Sequence, residues 1–250
     1  MRILVCNDDG FESPGVHLLA KAAHAMAPEV WVVSPERKWT AASHQLSFDR
    51  DLTLTRIGER AYACSGAPAD CVVAAMTVLF VEGPKPDLVL AGVNDNRNVA
   101  EDIAYSGTMA IAREATFWGV PTIALSRAVP ATDGSAEFDA LRRLLQALWK
   151  SREEWAANGH WLSVNLPGSL PATVVQAHVG RDKIAGACDV LAHTPERIVY
   201  RIRRGRPGTS APGDENAQID AGRITVVRHC WFADAVMPEA VVAAWRSSVA

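Results

Sequence analysis

The chain has 250 residues, of which 49% are hydrophobic and 21% charged, as is typical of a globular protein with one or two domains. A formal net charge of -3 argues against a broad basic surface for nucleic acid, and no segment reaches the ~18 consecutive apolar residues of a membrane span. The five cysteines form no C-x-x-C pair and the N-terminus is unlike a signal peptide. We therefore expect reduced thiols and a cytoplasmic location.

Strand and helix signals alternate through the first part of the chain. We predict strands over residues 2–6, 29–33, 87–91 and 120–125, a hairpin over 52–56 and 61–64, and helices over 14–26, 68–81 and 106–118. Ser13 and Ser106 are the expected N-caps of two of these helices. Polar loops are predicted over residues 34–47 and 92–102. This alternation indicates parallel βαβ units with right-handed crossovers.

The later part of the chain is less regular. A segment rich in Pro, Gly and Ser (129–137) precedes a predicted helix over 137–158 and a strand over 161–165. Short β-like runs at 172–178, 197–202 and 223–227, a loop over 205–216 and a terminal helix over 237–247 follow. We predict an α/β fold: a doubly wound, mostly parallel core (1–167) and a smaller β-containing arm region (168–250) used in assembly. The basic run of Arg201, Arg203, Arg204 and Arg206 is interpreted as a solvated arm or edge strand.

The most informative motif lies at the end of the first predicted strand, where Asn7-Asp8-Asp9-Gly10 follows an apolar run. Ligands of open parallel sheets collect at the carboxyl ends of the strands. Adjacent carboxylates repel each other unless a cation joins them, and oxygen ligands favour Mg²⁺, Mn²⁺ or Ca²⁺. The motif therefore predicts a metal-dependent site.

Three further polar clusters follow predicted strands or begin a predicted helix. Thr40 and Asn94 offer neutral oxygens that would complete a metal site without adding charge. Ser106, Gly107 and Thr108 present backbone N–H groups and hydroxyls at a helix N-terminus, an arrangement suited to phosphate. A divalent ion beside such a helix end favours displacement at phosphorus.

Other interpretations of these residues can be compared with this one. Asp8 and Asp9 would also serve as helix caps, although Ser13 is better placed for that role, and the Asn residues of the 92–102 loop would also fit a tight turn. Haloacid-dehalogenase-type phosphatases need D-x-D, and Gly10 breaks that pattern. Receiver domains need a phosphorylatable Asp where this chain has Ala91.

Five motifs in order resemble the SurE family (survival protein E, 5'/3'-nucleotidases). They are NDDG at 7–10, SPERKWTAAS at 34–43, GAPADCV at 66–72, AGVNDNRNVAEDIAYSGT at 91–108 and SVNLP at 163–167. The resemblance implies a Rossmann-like core, one divalent ion per subunit (Mg²⁺ or Mn²⁺) and nucleoside monophosphate substrates. It also implies a homodimer or homotetramer assembled partly through the C-terminal arms.

The resemblance also assigns residues. The metal ligands that it implies are Asp8, Asp9, Thr40 and Asn94. The implied phosphate contacts are Asn98, Ser106, Gly107 and Thr108, with Ser43 nearby. We take Asp8 and Asp9 as the catalytic pair, with Asp9 as the candidate nucleophile or general base.

This chain departs from the family pattern in several places, including Thr40-Ala41-Ala42 where the family's second loop is rich in glycine. Thr40 stands where the family usually has Ser, and it keeps the hydroxyl oxygen. Asn96 and Ala100 replace family glycines; we expect Asn96 to keep a turn with positive φ and Ala100 to resist one. These changes leave a second hypothesis open, a catalytically weakened nucleotide-binding or regulatory protein on the same fold.

Overall fold

The computed structural model describes residues 1–128, 135–205, 208–232 and 236–248. The described strands are β1 (Arg2–Cys6), β2 (Glu29–Pro35), β3 (Leu54–Gly58), β4 (Ala61–Cys64), β5 (Leu88–Asn94), β6 (Thr122–Arg127), β7 (His160–Leu166), β8 (Val174–Gln176), β9 (Cys188–His193), β10 (Ile198–Ile202) and β11 (Ile224–Cys230). The described helices are α1 (Pro14–His24), α2 (Pro68–Ala74), α3 (Asp102–Tyr105), α4 (Gly107–Phe117), α5 (Ser135–Lys150), α6 (Arg152–Trp155), α7 (Glu215–Asp220) and α8 (Glu239–Ser248), with a π-helical turn over Ala75–Leu79.

A nine-stranded sheet forms the centre of the molecule, in the order β3-β4-β2-β1-β5-β6-β7-β11-β8. Strands β4, β2, β1, β5, β6 and β7 run parallel, whereas β3 and β11 pair antiparallel to β4 and β7. Strands β9 and β10 form a separate antiparallel hairpin. The predicted doubly wound, mostly parallel α/β fold with a smaller β-containing arm is confirmed. The boundary at residue 167 stays a prediction; β8 and β11, which follow it, belong to the main sheet.

The core lies on both faces of the sheet because the central strands are apolar on both sides. In β1, Ile3 and Val5 pack in a cluster with residues of α1 and α5, whereas Leu4 and Cys6 pack in a second cluster with residues of α2 and α4. Side chains of a strand alternate between its faces, so a continuous apolar run covers two helical layers. No helix in the described part of the chain is long and apolar enough to cross a membrane.

Most predicted elements are confirmed with ends shifted by three residues at most. The helix predicted over 68–81 is shorter: α2 ends at Ala74 and a π-helical turn follows. In that turn the Thr77 hydroxyl donates to the Val73 carbonyl (2.7 Å) and the Phe80 N–H donates to the Ala75 carbonyl (2.9 Å). A side-chain bond to the carbonyl four residues earlier competes with the regular helical pattern.

The loop predicted from residue 92 is wrong at its start, since β5 continues to Asn94. Gly92 makes this continuation possible. Its φ is +125°, and a Cβ added there would lie 2.2 Å from the carbonyl oxygen of Leu125 on β6. Only glycine lets the two strands approach so closely, and the pairing of β5 with β6 shifts register between Ala91 and Asn94.

The later part of the chain shows further differences. The helix predicted over 137–158 divides into α5 and α6 at Ser151, whose hydroxyl donates to the carbonyls of Ala147 and Leu148. Strand β9 was not predicted because its side chains are mostly exposed and give no inward–outward pattern. Helix α7, capped by Asp214, lies partly within the loop predicted over 205–216. Most of the predicted 129–137 break, and Arg206, fall outside the described residues.

Candidate active site

The predicted polar clusters meet at the carboxyl edge of the sheet. Strands β1 and β5 are neighbours in register, with Cys6 opposite Ala91, so Asp8 and Asn94 follow the same edge. Across the next two strands Asn94 aligns with Ser126, and Ser126 aligns with Asn165. Four adjacent parallel strands therefore present polar side chains at one place, as the topology of parallel sheets predicts.

Asp8 is almost entirely buried, with 6% of its surface exposed. The hydroxyl of Thr108, in the first turn of α4, donates to its carboxylate at 2.5 Å. Burial raises the pKa of Asp8 to about 7; the hydrogen bond from Thr108 lowers it and the charge of Asp9 raises it further. A buried carboxylate beside a second one favours a cation nearby.

Asp9 is held by two groups from different loops. The backbone N–H of Asp95 donates to one carboxylate oxygen at 3.1 Å. The ammonium group of Lys38 contacts the other oxygen and also the Asp95 carboxylate, at 3.1 Å. Partial burial lowers the pKa of Lys38, but hydrogen bonds and charges from Asp9 and Asp95 outweigh it and raise this pKa overall. Lys38 therefore carries a positive charge against the acid pair.

The loop after β2 reaches the acids because its backbone is fixed to the loop after β1. The Trp39 N–H donates to the Asp8 carbonyl at 2.7 Å, and this bond helps place Lys38 in contact with Asp9 and Thr40 in the same cavity as the two acids. Gly10 has a φ of +99°, and a Cβ added there would lie 3.2 Å from the backbone of Arg37. Glycine after the acid pair thus permits the close contact of the two loops.

Hydrogen bonds to side chains of β6 and β7 fix the loop after β5. The Asn94 amide nitrogen donates to the Asn96 carbonyl at 2.5 Å, a hydrogen bond within the loop itself. The Asn98 backbone exchanges two hydrogen bonds with the Asn165 side chain (2.9 and 3.0 Å), and the Asn98 amide donates to Ser126 at 2.7 Å. Asn98 is buried and rigidly oriented.

Asn96 and Ala100, which stand where the family has glycine, differ from our expectation in backbone conformation. Ala100 has a φ of 51°, whereas Asn96 is not among the described residues with positive φ, so both expectations were wrong. The Ala100 N–H donates to the carboxylate of Glu215 at 2.7 Å. Burial raises the pKa of Glu215 to about 7, against the lowering effect of hydrogen bonds from Ala100 and Gly180. A carboxylate from α7 thus stabilises the strained turn.

Helix α4 points its N-terminus towards Asp8. Ser106 caps it by accepting from the Met109 N–H at 3.2 Å, as predicted. Gly107 packs directly on the acid: an added Cβ would lie 2.7 Å from the Cβ of Asp8 and 2.9 Å from the Cγ of Pro68. Ser43, in the loop after β2, donates its hydroxyl to the Ala104 carbonyl of α3 at 2.8 Å and so connects this loop to α3.

A cavity of about 970 Å³ opens above these groups, at the upper end of the roughly 300–1,000 Å³ of small-molecule sites. Six of the nine predicted site residues line it: Asp8, Asp9, Thr40, Asn94, Asn98 and Ser106. Three do not line it in the described structure: Gly107 and Thr108 contact Asp8 from α4, and Ser43 is exposed. The structure thus brings six of the nine into one cavity and places Gly107 and Thr108 in contact with one of them, Asp8.

The donor set of the cavity suits a hard divalent ion. Among the described residues no three His, Cys, Asp or Glu side chains form a metal-binding group. A metal here would therefore take two carboxylates, Asp8 and Asp9, completed by neutral oxygens such as those of Thr40 and Asn94. Oxygen-only ligands with a low charge count are typical of Mg²⁺ and Mn²⁺.

Two features of the site were not predicted from the sequence: the cavity wall formed by the C-terminal region, and the contact of Lys38 with Asp9. The wall comes from the C-terminal region, and its members include Asp182, Lys183, Ile184, Ile202, Arg203 and Asn216. Lys38 lies two residues before Thr40 in a loop that we had identified, but its partner Asp95 is 57 residues away. No local pattern indicates such a contact.

Known proteins support the family resemblance. The model of the family described as Survival protein SurE matches residues 3–186. The chain is 36% identical over 240 residues to the 5'-nucleotidase SurE of Azorhizobium caulinodans, covering 90% of this chain and 91% of that protein. It is 34% identical over 242 residues to the 5'-nucleotidase SurE of Paramagnetospirillum magneticum, covering 92% and 90%.

Structural comparison agrees with the sequence comparison. The crystal structure of the SurE protein from Aquifex aeolicus superimposes with a TM-score of 0.77 at 26% identity, covering 100% of both chains. The match therefore includes the C-terminal region, beyond the 3–186 segment of the family model. The chain belongs to the SurE family.

Proposed function

We propose that this protein is a divalent-metal-dependent phosphomonoesterase that hydrolyses nucleoside 5'- and 3'-monophosphates to nucleoside and phosphate. One observation carries the proposal: the adjacent carboxylates Asp8 and Asp9 share a nucleotide-sized cavity with the capped N-terminus of α4. Carboxylates that attract a cation and a helix end that attracts an anion are the two parts that phosphate hydrolysis needs. The relatives named 5'-nucleotidase support the substrate class.

In this proposal Asp8, Asp9, Thr40 and Asn94 hold one Mg²⁺ or Mn²⁺ ion per subunit. When bound, the ion would neutralise charge on the phosphate and polarise the attacking water. Thr108 fixes the rotamer of Asp8 through its hydrogen bond, which keeps the carboxylate directed at the cavity.

Substrate positioning falls to the residues on the cavity wall. Ser106, which lines the cavity at the N-terminus of α4, would contact the non-bridging phosphate oxygens, since the N-terminus of a helix carries partial positive charge. Asn98, fixed by Ser126 and Asn165, offers a rigid polar contact. We assign the role of nucleophile or general base to Asp9, as the sequence predicted.

The test replaces each acid with its amide. Asp8→Asn and Asp9→Asn should each lower phosphate release by at least roughly a hundredfold with Mg²⁺ or Mn²⁺ present. Metal affinity measured on the same variants separates ligation from a chemical role of Asp9, because loss of rate with retained affinity indicates chemistry. Asp139→Asn, at a half-exposed side chain on α5, is the matched control. Undiminished rates in both acid variants would contradict the proposal.

The second candidate is a nucleotide-binding or regulatory protein with weak catalysis. The contact of Lys38 with Asp9 favours it, because an internal cation already occupies part of the proposed metal site. In that case nucleoside monophosphates bind in the presence of metal but phosphate is not released. A panel of 5'- and 3'-monophosphates with and without chelator distinguishes the two.

We also propose a homodimer or homotetramer assembled through the arm. The β9–β10 hairpin exposes several large apolar side chains: Val190, Leu191, Ile198, Tyr200 and Ile202. Clustered exposed apolar residues are typical of an interaction surface. Light scattering of the purified protein measures the state, and a monomer at micromolar concentration would contradict this assignment.

A further inference from the structure

Lys38 occupies an unusual position, because its ammonium group touches two carboxylates of the site at once. It contacts the Asp9 carboxylate on one side and lies 3.1 Å from the Asp95 carboxylate on the other. The Asp9 side chain is 4% exposed, Asp95 is 28% exposed and Lys38 is half exposed. The flexible lysine therefore joins a buried acid to a more exposed one at the edge of the cavity.

The contact with Asp9 conflicts with metal binding. The Asp9 carboxylate has two oxygens: Lys38 contacts one, and the Asp95 N–H donates to the other at 3.1 Å. A divalent ion that takes Asp9 as a ligand must displace the ammonium group, since two cations at one oxygen repel each other. Because Lys38 already lies 3.1 Å from the Asp95 carboxylate, it keeps an ionic partner when it leaves Asp9.

The neighbouring cation of the same loop has a different role. The guanidinium of Arg37 stacks over the Trp39 ring, 4.7 Å from its centre, and Arg37 does not line the cavity in the described structure. Arg37 and Lys38 thus carry the same charge on adjacent residues, but only Lys38 touches the acid pair. Arg37 therefore serves as a control for the long-range effect of a positive charge on metal affinity.

We propose that Lys38 is a built-in competitor for the metal: it bridges Asp9 and Asp95 when the ion is absent, transfers to Asp95 alone when the ion binds, and so sets the metal affinity of the site. This inference rests on the metal-dependent part of the proposed function. Lys38 is a positioning residue here, since it acts on the ligand Asp9 and not on the substrate. The expected consequence is a weaker metal site than the same carboxylates would form without Lys38.

The experiment is calorimetric titration of Mn²⁺ into the full-length protein without nucleotide, so that the readout is binding and not activity. Lys38→Met removes the charge and keeps the length of the side chain, and should tighten Mn²⁺ binding about fivefold, a factor that corresponds to ~1 kcal/mol. Lys38→Arg keeps the charge and should not tighten it. Arg37→Met removes an equal charge from the same loop and should change the affinity by less than about twofold.

A double-mutant cycle tests the transfer to Asp95. Asp95→Asn should weaken Mn²⁺ binding in the wild-type background, because Lys38 then has only Asp9 as a partner. The same change should weaken binding less in the Lys38→Met background, since the transfer no longer takes place.

Each outcome is decisive. Equal or weaker Mn²⁺ binding by Lys38→Met would overturn the competition, and so would an equal gain in Arg37→Met, which would indicate general charge. Equal effects of Asp95→Asn in both backgrounds would overturn the transfer. Absence of Mn²⁺ binding in every variant would overturn this inference together with the proposed metal site, whereas binding of equal strength in wild type and Lys38→Met overturns this inference alone.

Discussion

Gly107→Ala tests how closely α4 must approach the acid pair. Gly107 is the first residue of α4, and its added Cβ would lie 2.7 Å from the Cβ of Asp8, 3.0 Å from its Oδ2 and 2.9 Å from the Cγ of Pro68. Contacts below 3.0 Å require that some atoms move. Since α4 and β1 are both packed in the core, we expect Asp8 and the helix end to separate by a few tenths of an ångström.

The magnitude follows from the cost of overpacking a tight core, about 1–3 kcal/mol in the free energy of unfolding. Alanine favours helices by about 1 kcal/mol over glycine inside a helix, but that gain is small at a first-turn position, so the net change is destabilising. A displaced Asp8 carboxylate should also lower the rate of phosphate release by roughly ten- to a hundredfold.

Urea denaturation and a phosphate-release assay measure the two effects. Gly83→Ala is the matched control, because its added Cβ would have no heavy atom nearer than 3.8 Å. Gly107→Ala with wild-type stability and wild-type rate would refute the reasoning that glycine is required for the contact with Asp8.

Three further variants test the supports of the site. Thr108→Val removes the donor to Asp8 and should cost about 1–3 kcal/mol in urea denaturation at pH 8; an unchanged midpoint would contradict the bond's importance. Ala100→Gly should stabilise by about 1 kcal/mol, because alanine is strained at a φ of 51°, and a loss of stability would argue against that strain. Glu215 has a pKa of about 7 in the folded protein, above its ordinary value of 4.5, so the folded state binds more protons and its stability falls as pH rises from about 4.5 to 7. Glu215→Gln keeps an acceptor for Ala100 and should gain up to roughly 3 kcal/mol over wild type between pH 4 and pH 8; parallel pH curves would contradict the shift.

The sequence predicts the positions of the site's main groups because strand ends carry strong signals. An apolar strand followed by Asp8 and Asp9, and another followed by Asn94, must bring these groups to one edge if the strands are parallel neighbours. The cap at Ser106 was predictable for the same local reason, since a hydroxyl before a helix accepts from its first turn.

Long-range contacts could not be predicted in this way. The partner of Lys38 depends on how two loops pass each other, and Glu215 supports Ala100 from 115 residues away. Strand β9 was not predicted because most of its side chains are exposed, and helix α7 was not predicted because it is only six residues long. Neither segment therefore shows a clear hydrophobic periodicity. The extension of β5 through Gly92 depends on the close approach of β5 to β6, and residue spacing in the sequence does not indicate that contact.

The most direct test of the proposed function is phosphate release from nucleoside 5'- and 3'-monophosphates by the wild-type protein, with Mn²⁺ or Mg²⁺ and with chelator, beside Asp8→Asn. We expect release with metal, loss of release with chelator, restoration when metal is returned, and a rate at least roughly a hundredfold lower in Asp8→Asn. Release that continues unchanged in chelator, or that Asp8→Asn retains in full, would contradict the proposed function.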